Sequence, residues 1–403
     1  MNLKGNILIL TQWSFKDALV QTYTLPYVDI IRNLISKERK IILVTAEQLD
    51  IALTENETQE VNKQWEEKNM LLVPQPYKKF GLKKIIASAG NLGKLGKLIK
   101  REKIKIIHAF CTPAGSIGYL LSKISGADLI IDSYEPHAES MVENGTWKKN
   151  GTAFKILFTL EKKQTKKAST LIATTQGMKE YAKRKYGINV KNFFVKPACV
   201  DLNKFKLSVK DQELMNELGL SNKIVCVYAG KLGGIYLKKE VFEFIKACYD
   251  HWKNEFKFLM LTNASSEEIE KEMERVGLPN ETLISKFVFH NEIPRYLLLG
   301  DFALNPVKPV PTKRFCTSIK DGEYWATGLP VVISPNISDD SGIIEANNTG
   351  VVLNYSDPLT FKNGILSIEA LLKDTDLRNR VRQQAIQYRS FEIAENIYRK
   401  IYC

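Results

Sequence analysis

No apolar run in this 403-residue chain approaches the ~18 residues of a membrane-spanning helix, and the apolar stretch 6–10 is followed at once by Thr11 and Gln12. We therefore expect neither a signal peptide nor a transmembrane helix, and a cytoplasmic location. Cysteine is sparse. Cys111, Cys199, Cys226, Cys248, Cys316 and Cys403 form no Cys-x-x-Cys pair and have no histidine at ligand spacing, which argues against a zinc module and a disulfide framework. The glycine-lysine pair at 230–231 lacks the spacing of Gly-x4-Gly-Lys-Ser/Thr, so a P-loop is disfavoured. A paired-aspartate metal motif at a strand end is missing, as are internal repeats and low-complexity tracts. Acidic residues are in short supply, 45 against 58 basic ones, leaving a net charge of +13.

What is present is an ordinary globular balance, 44% hydrophobic and 26% charged, in a chain long enough for two domains. The excess positive charge is clustered. Lys83, Lys84, Lys94, Lys97, Lys100, Arg101, Lys103 and Lys105 alternate with Leu82, Ile85, Ile86, Leu92, Leu95, Leu98 and Ile99. Such a segment is either the solvated face of a core-packed helix or a surface that docks on anionic lipid. Nucleic acid is not an expected partner, because interleaved aromatics and a recognisable binding motif are both lacking.

Short apolar runs alternate with helical patterns, the rhythm of parallel sheets with helical crossovers. Strands are expected at 6–11, 40–45, 70–73, 105–109, 128–132, 170–174 and 193–196. A polar stretch at 199–222 interrupts the series. A second set follows at 223–229, 256–262, 286–290, 301–305, 331–334 and 350–353. We expect an α/β protein of two Rossmann-like domains facing across a cleft: 1–200, 201–385, and a C-terminal helix at 386–403 that packs back on the first. In open α/β sheets ligands lie beyond the carboxyl ends of the strands, so motifs there carry the most weight.

Three such motifs stand out. Thr317-Ser-Ile-Lys-Asp-Gly-Glu-Tyr-Trp-Ala-Thr-Gly-Leu-Pro-Val-Val-Ile-Ser334 reads as a helix started at Thr317 or Ser318, stopped at Gly328 and followed by a buried strand. Its amides suit phosphates, and Glu323 is at a depth from which a carboxylate reaches a ribose diol. Between Tyr228 and Glu240, Gly230, Gly233 and Gly234 permit close backbone approach, while Lys231, Lys238 and Lys239 offer charge to a diphosphate. Finally, Asp132-Ser-Tyr-Glu-Pro-His-Ala-Glu139 gathers three carboxylates and a histidine behind a strand. Glu135 and His137 are its candidates for hydroxyl activation or hydrogen bonding to the reacting substrate, with His108 next in line.

The 317–334 run resembles the donor-site segment of retaining glycosyltransferase family 4, in which a glutamate followed by an aromatic or Ala, then Ala-x-Gly-x-Pro-Val, grips the ribose of a sugar nucleotide. Gly230-Lys231-Leu232 is similar to that family's Gly-Arg/Lys-Leu loop, and its second lysine corresponds to Lys239 or Lys238. The stretches 161–178 and 193–205 resemble its helix-strand-turn and its Val-Asp-x-x-x-Phe linker. The matches run in family order over about residues 105–355. One departure is plain: the first glutamate of Glu-x7-Glu is replaced by Phe315, and Ser318, Lys320, Glu323 and Tyr324 follow a variant lacking it. The first hundred residues are less similar, Trp13-Ser-Phe-Lys-Asp17 standing where a glycine pair is often found.

The resemblance implies a GT-B fold and a retaining glycosyltransferase of the bacterial surface-glycan type. It would move a sugar from a nucleotide-diphosphate donor to a glycan acceptor, polyprenyl-linked in our reading, with peripheral attachment to the inner face of the membrane. The donor is then held by Gly230, Lys231, Gly233, Gly234, Lys238, Lys239, Thr317, Ser318, Lys320 and Glu323, with His137, Glu135 and Lys231 at the reacting centre. Fixed positive charge serves the leaving phosphate, so neither metal nor cofactor is expected. Two other readings keep the fold: a sugar-nucleotide epimerase, and a non-catalytic scaffold docked on a membrane or on other enzymes, which Phe315 favours.

Overall fold

The structure, a computed structural model, describes residues 3–77 and 82–403, the side chains of 82–90 excepted. Two parallel sheets organise it. The first contains β1 (Asn6–Leu10), β2 (Ile41–Glu47), β3 (Met70–Pro76), β4 (Ile104–Phe110), β5 (Asp128–Tyr134), β6 (Thr170–Ala173) and β7 (Phe193–Val195), in the order β3-β2-β1-β4-β5-β6-β7. The second contains β8 (Ile224–Ala229), β9 (Phe256–Leu261), β10 (Leu283–Lys286), β11 (Phe302–Asn305), β12 (Val331–Ile333) and β13 (Gly350–Val352), in the order β10-β9-β8-β11-β12-β13. The central strands are near-continuous runs of Ile, Leu and Val, and Ile7, Leu8, Ile9, Val225, Val227 and Leu259 are fully buried. Strands covered on both faces have no use for polar alternation.

The chain divides into two compact units, residues 1–197 with 392–403, and residues 198–391. In the second unit, one side of the sheet packs on Tyr324, Trp325, Leu329 and Val381, the other on Phe242, Ile245, Trp252 and Phe361.

One expected strand is displaced. The apolar 287–289 run points to a strand at 286–290, whereas β10 covers Leu283–Lys286 and pairs with Phe258–Leu261 of β9. The partner strand ends at Leu261, opposite Lys286, so the chain runs past the carboxyl edge of the sheet from there and leaves Phe287 and Phe289 exposed. The helix expected over 386–403 is likewise divided. Residues through Arg389 complete the helix Leu377–Arg389; Ser390 is extended and bridges to Val200; a new helix then runs Phe391–Tyr402.

The final helix buries Ala394, Ile397, Tyr398, Ile401 and Tyr402, a helical spacing of three and four. These side chains close the first unit. Tyr398 donates to Asp132 Oδ2 at 2.6 Å, Tyr402 Oη is 2.5 Å from His108 Nδ1, and His108 Nε2 is 3.2 Å from Asp132 Oδ2. Lys196 Nζ is 3.2 Å from Asp132 Oδ1 and lies over the Tyr27 ring, 3.3 Å from its centroid. Burial alone would raise the Asp132 carboxyl, but Lys196, His108 and the Tyr398 hydroxyl hold it at about 2. His108 is therefore committed to a buried structural network.

The basic segment falls on the helix Leu82–Arg101. Leu82, Lys83, Lys84, Ile85 and Ile86 lie outside the residues whose side chains are described. Further along, Leu95, Leu98 and Ile99 are buried while Lys94, Lys97 and Lys100 are exposed. The apolar side of this half is thus used up by the core, and charge is what remains outside. Among the described residues no helix is long and apolar enough to cross a membrane.

Candidate functional site

The densest group of candidate residues lies at the carboxyl ends of β8, β11 and β12 in the second unit. Here β8 ends in Ala229, whose N–H donates to the Tyr324 hydroxyl at 2.9 Å, and Gly230 turns away at φ +149°. The backbone conformation favours glycine here, and a Cβ at Gly230 would lie 2.7 Å from Lys320 Nζ, so the tip of that lysine would have to shift. The loop that follows is tied down by Lys308, which donates to the Gly234 carbonyl at 2.7 Å, and by the Leu237 N–H to the Pro306 carbonyl at 2.8 Å.

The helix Ile319–Ala326 begins after Ser318, which is extended and makes no side-chain cap. Thr317 does not cap it either, because its hydroxyl accepts the Ala198 N–H at 2.9 Å. Among the described residues neither side chain caps the amides of the first turn, which suit another acceptor. Gly328, at φ +74°, stops the helix as expected, and its Leu-Pro continuation delivers the chain to β12.

Lys320 is half-buried as a residue, but its ammonium sits against rings. Nζ is 3.7 Å from the Tyr236 centroid and 4.5 Å from that of Tyr228, and donates to the Tyr228 hydroxyl at 3.3 Å. That hydroxyl donates in turn to the Lys231 carbonyl at 2.6 Å, coupling the glycine loop to the helix. Burial pulls the Lys320 ammonium down to about 7, against the opposing pull of Asp321 and Glu323. An ammonium so placed is available to an anion that restores its charge.

One turn on, Glu323 is buried at 8% exposure. Its Oε1 accepts from His290 Nε2 at 3.1 Å, while Oε2 makes no hydrogen bond among the described residues. His290 was absorbed into an expected strand by the sequence reading. Its position immediately before Asn-Glu-Ile-Pro, a helix start, was the available sign that it lies at an element end.

Behind this face the helix is anchored by polar groups that no motif announced. Asn305, ending β11, donates to Asp321 Oδ2 at 2.7 Å, and Arg389 pairs with Asp340 at 2.5 Å with both side chains buried. Burial and the neighbouring Asp340 push the Asp321 carboxyl well up, with Arg389 and Asn305 opposing. A protonated Asp321 bonded to Asp340 is the arrangement this implies.

The remaining lysines divide. Lys231 and Lys239 are exposed, and their ammonium groups make no ion pair among the described residues. Lys238 is engaged with the helix Ser266–Val276, 2.9 Å from Glu268 and 3.7 Å from Glu272. Phe315 is buried at 6%.

In the first unit, Glu135 and His137 come together behind β5, with Nδ1 of the histidine 3.1 Å from Oε1 of the glutamate. The Thr112 hydroxyl donates to the Glu135 carbonyl at 2.6 Å. Glu161, wholly buried, accepts the Ala138 N–H at 2.8 Å and the Tyr186 hydroxyl at 3.0 Å, and so fixes the loop from below. Burial pushes the Glu161 carboxyl up to about 8, with Glu135 and Glu139 adding to the rise and these two hydrogen bonds opposing it.

No family model matches the sequence. An alpha-D-kanosaminyltransferase of Streptomyces kanamyceticus is 22% identical over 298 residues, covering 72% of this chain and 73% of that protein. Among solved structures, Anabaena HepE in complex with UDP superposes with a TM-score of 0.73 at 16% identity, covering 98% of each chain. Sucrose-phosphate synthase from Thermosynechococcus elongatus gives 0.72 at 13% identity over 99% of each. Together with the two parallel sheets, these likenesses show that the fold is the GT-B type, built of two Rossmann-like units.

Proposed function

We propose that this protein is a glycosyltransferase that transfers a sugar from a nucleotide-diphosphate donor to a glycan acceptor. The observation that carries the reading is the placement of Glu323 one turn inside a short helix, with Lys320 and the Gly230 turn beside it at the carboxyl edge of the sheet. The carboxylate suits a ribose hydroxyl. The uncapped amides of the helix, with Lys320 and Lys231, suit the diphosphate. Lys239, which makes no ion pair among the described residues, adds a further cation, whereas the Glu268 and Glu272 partners of Lys238 make it the weaker candidate. Further support comes from the likeness to HepE, crystallised with UDP and with UDP-glucose, and to a kanosaminyltransferase.

In this reading the lysines neutralise charge on the departing phosphate, and no metal is needed for that step. The sugar leaves with retention of configuration, the acceptor attacking from the same face while the phosphate takes its proton. Acceptor contacts are assigned to the first unit, through Glu135 and His137. A lipid-linked glycan is the proposed acceptor class, and Lys94, Lys97 and Lys100 the proposed membrane-facing group.

The test has two stages. Thermal shift against UDP-, GDP-, ADP- and dTDP-sugars identifies the donor, since a ligand that binds only the native state raises its stability. Nucleotide release is then measured with and without lipid-linked acceptors, in excess chelator and with magnesium, for wild type and Glu323→Gln. Acceptor-dependent release that survives chelation and is lost in the variant is the expected result. Release without acceptor turns the reading to an epimerase, absence of any donor shift turns it to a scaffold, and unchanged turnover in Glu323→Gln removes the donor assignment.

A further inference from the structure

His290 belongs to none of the motifs above, yet three contacts fix its ring. Phe205, buried at 2%, packs against it with centroids 5.7 Å apart; Lys204 Nζ is 2.9 Å from Nδ1; and Nε2 is 3.1 Å from Glu323 Oε1. An ammonium has only donors, so Nδ1 must accept. The ring proton is thereby assigned to Nε2, where it donates to the carboxylate. Three segments distant in sequence meet here: the stretch after Val200, the chain leaving β10, and the helix Ile319–Ala326. The side chain of Glu323 is only 10% exposed. A buried carboxylate with one oxygen held in this way has a fixed plane, and its other oxygen has a fixed direction.

We propose that His290, set in place by Lys204 and Phe205, is a positioning residue for Glu323: it holds Oε1 so that Oε2 is presented to a ribose hydroxyl of the nucleotide. The inference rests on the donor assignment of Glu323. It adds a consequence for selectivity, because a carboxylate that has lost its orienting donor still carries charge but no longer favours a hydroxyl at one place over its absence. Preorganisation of this kind governs discrimination more than overall affinity.

The experiment measures binding of UDP, GDP and ADP and of their 2′-deoxy and 3′-deoxy forms to the full-length protein by calorimetry, and takes the ratio of ribo to deoxy affinity. A hydrogen bond to a charged acceptor gives wild type a ratio of roughly tenfold or more for the diphosphate that binds. In His290→Ala that ratio is expected to fall to within about threefold of unity. His290→Gln, which keeps an N–H donor at similar reach, is expected to recover most of it, and Lys204→Met to fall between. A purely structural loss would weaken ribo and deoxy forms alike and leave the ratio unmoved. An unmoved ratio in His290→Ala, with the thermal midpoint retained, overturns the proposal while the Glu323 assignment stands. If wild type itself shows no ribo preference, or binds none of the three diphosphates nor dTDP, the Glu323 assignment fails and the inference falls with it.

Discussion

Replacing Glu161 by Gln should make the protein more stable at alkaline pH while changing little at pH 5. The carboxyl is fully buried, its two oxygens accept from Ala138 and Tyr186, and it titrates near 8 in the fold. In the unfolded chain the same group has its ordinary value of 4.5. Between those values the unfolded state gives up a proton that the folded state keeps, so stability falls as pH rises through this window and is level above about 8. A gap of about 3.5 pH units, at about 1.4 kcal/mol each, sets an upper limit of about 5 kcal/mol. Relaxation around the charge lowers that figure, because the effective dielectric inside proteins is nearer ~20 than ~4. Gln has the same size, can accept the Ala138 N–H, and can donate to the Tyr186 oxygen, yet it does not titrate. Thermal midpoints of both proteins at pH 5, 6, 7, 8 and 9 provide the assay. A gain of about 2 kcal/mol corresponds to roughly 4–8 °C for a domain of this size. The variant should match wild type at pH 5 and exceed it increasingly to pH 8. Parallel profiles across the series would refute the reasoning.

Nucleoside diphosphate binding at pH 8 should take up close to one proton, because Lys320, near 7 when free, regains its charge beside phosphate; titration calorimetry in two buffers of different ionisation enthalpy reads this, and proton release would contradict it. Affinity should accordingly decline above pH 7. Gly230→Ala combines a backbone penalty of about 1–3 kcal/mol with a clash on Lys320, so a lower midpoint and weaker diphosphate binding are expected together. Retention of wild-type affinity would show that Lys320 does not depend on this turn. Tyr398→Phe removes the hydroxyl donated to the Asp132 carboxylate and should cost about 1.5–3 kcal/mol in chemical denaturation, while donor binding is unchanged; a neutral result would mean His108 and Lys196 suffice.

Much of the fold was legible because buried parallel strands are written as dense Ile, Leu and Val runs, and β1, β5, β8 and β12 all follow that rule. Where it misled, at 286–290, the more hydrophobic run was the one left outside. Register with β9, a long-range property, decided the matter. The break at Ser390 was equally hidden, since it answers to Val200 nearly two hundred residues away. At the candidate site, Glu323 was legible from its depth inside a helix and Gly230 from a glycine turn, whereas Lys320 entered only through the resemblance. The groups that orient them were not. Asn305, Asp340 and Arg389 act through tertiary partners alone, and His290 was concealed inside an expected strand that ends four residues earlier. Sequence spacing marks residues that share an element and is silent on those that meet across elements.

The first unit is discontinuous: its sheet is complete by Val195, but the helix that covers His108 and Asp132 comes from residues beyond 391. During translation those residues emerge only after the entire second unit has been made. Until then Asp132 has Lys196 and His108 as partners but lacks the Tyr398 hydroxyl, and His108 lacks that of Tyr402. A chain halted between residues 198 and 391 therefore has every strand of the first sheet but lacks the helix that buries Ala394, Ile397, Tyr398, Ile401 and Tyr402. The integrity of the first unit's core is thus tied to synthesis of the whole second unit.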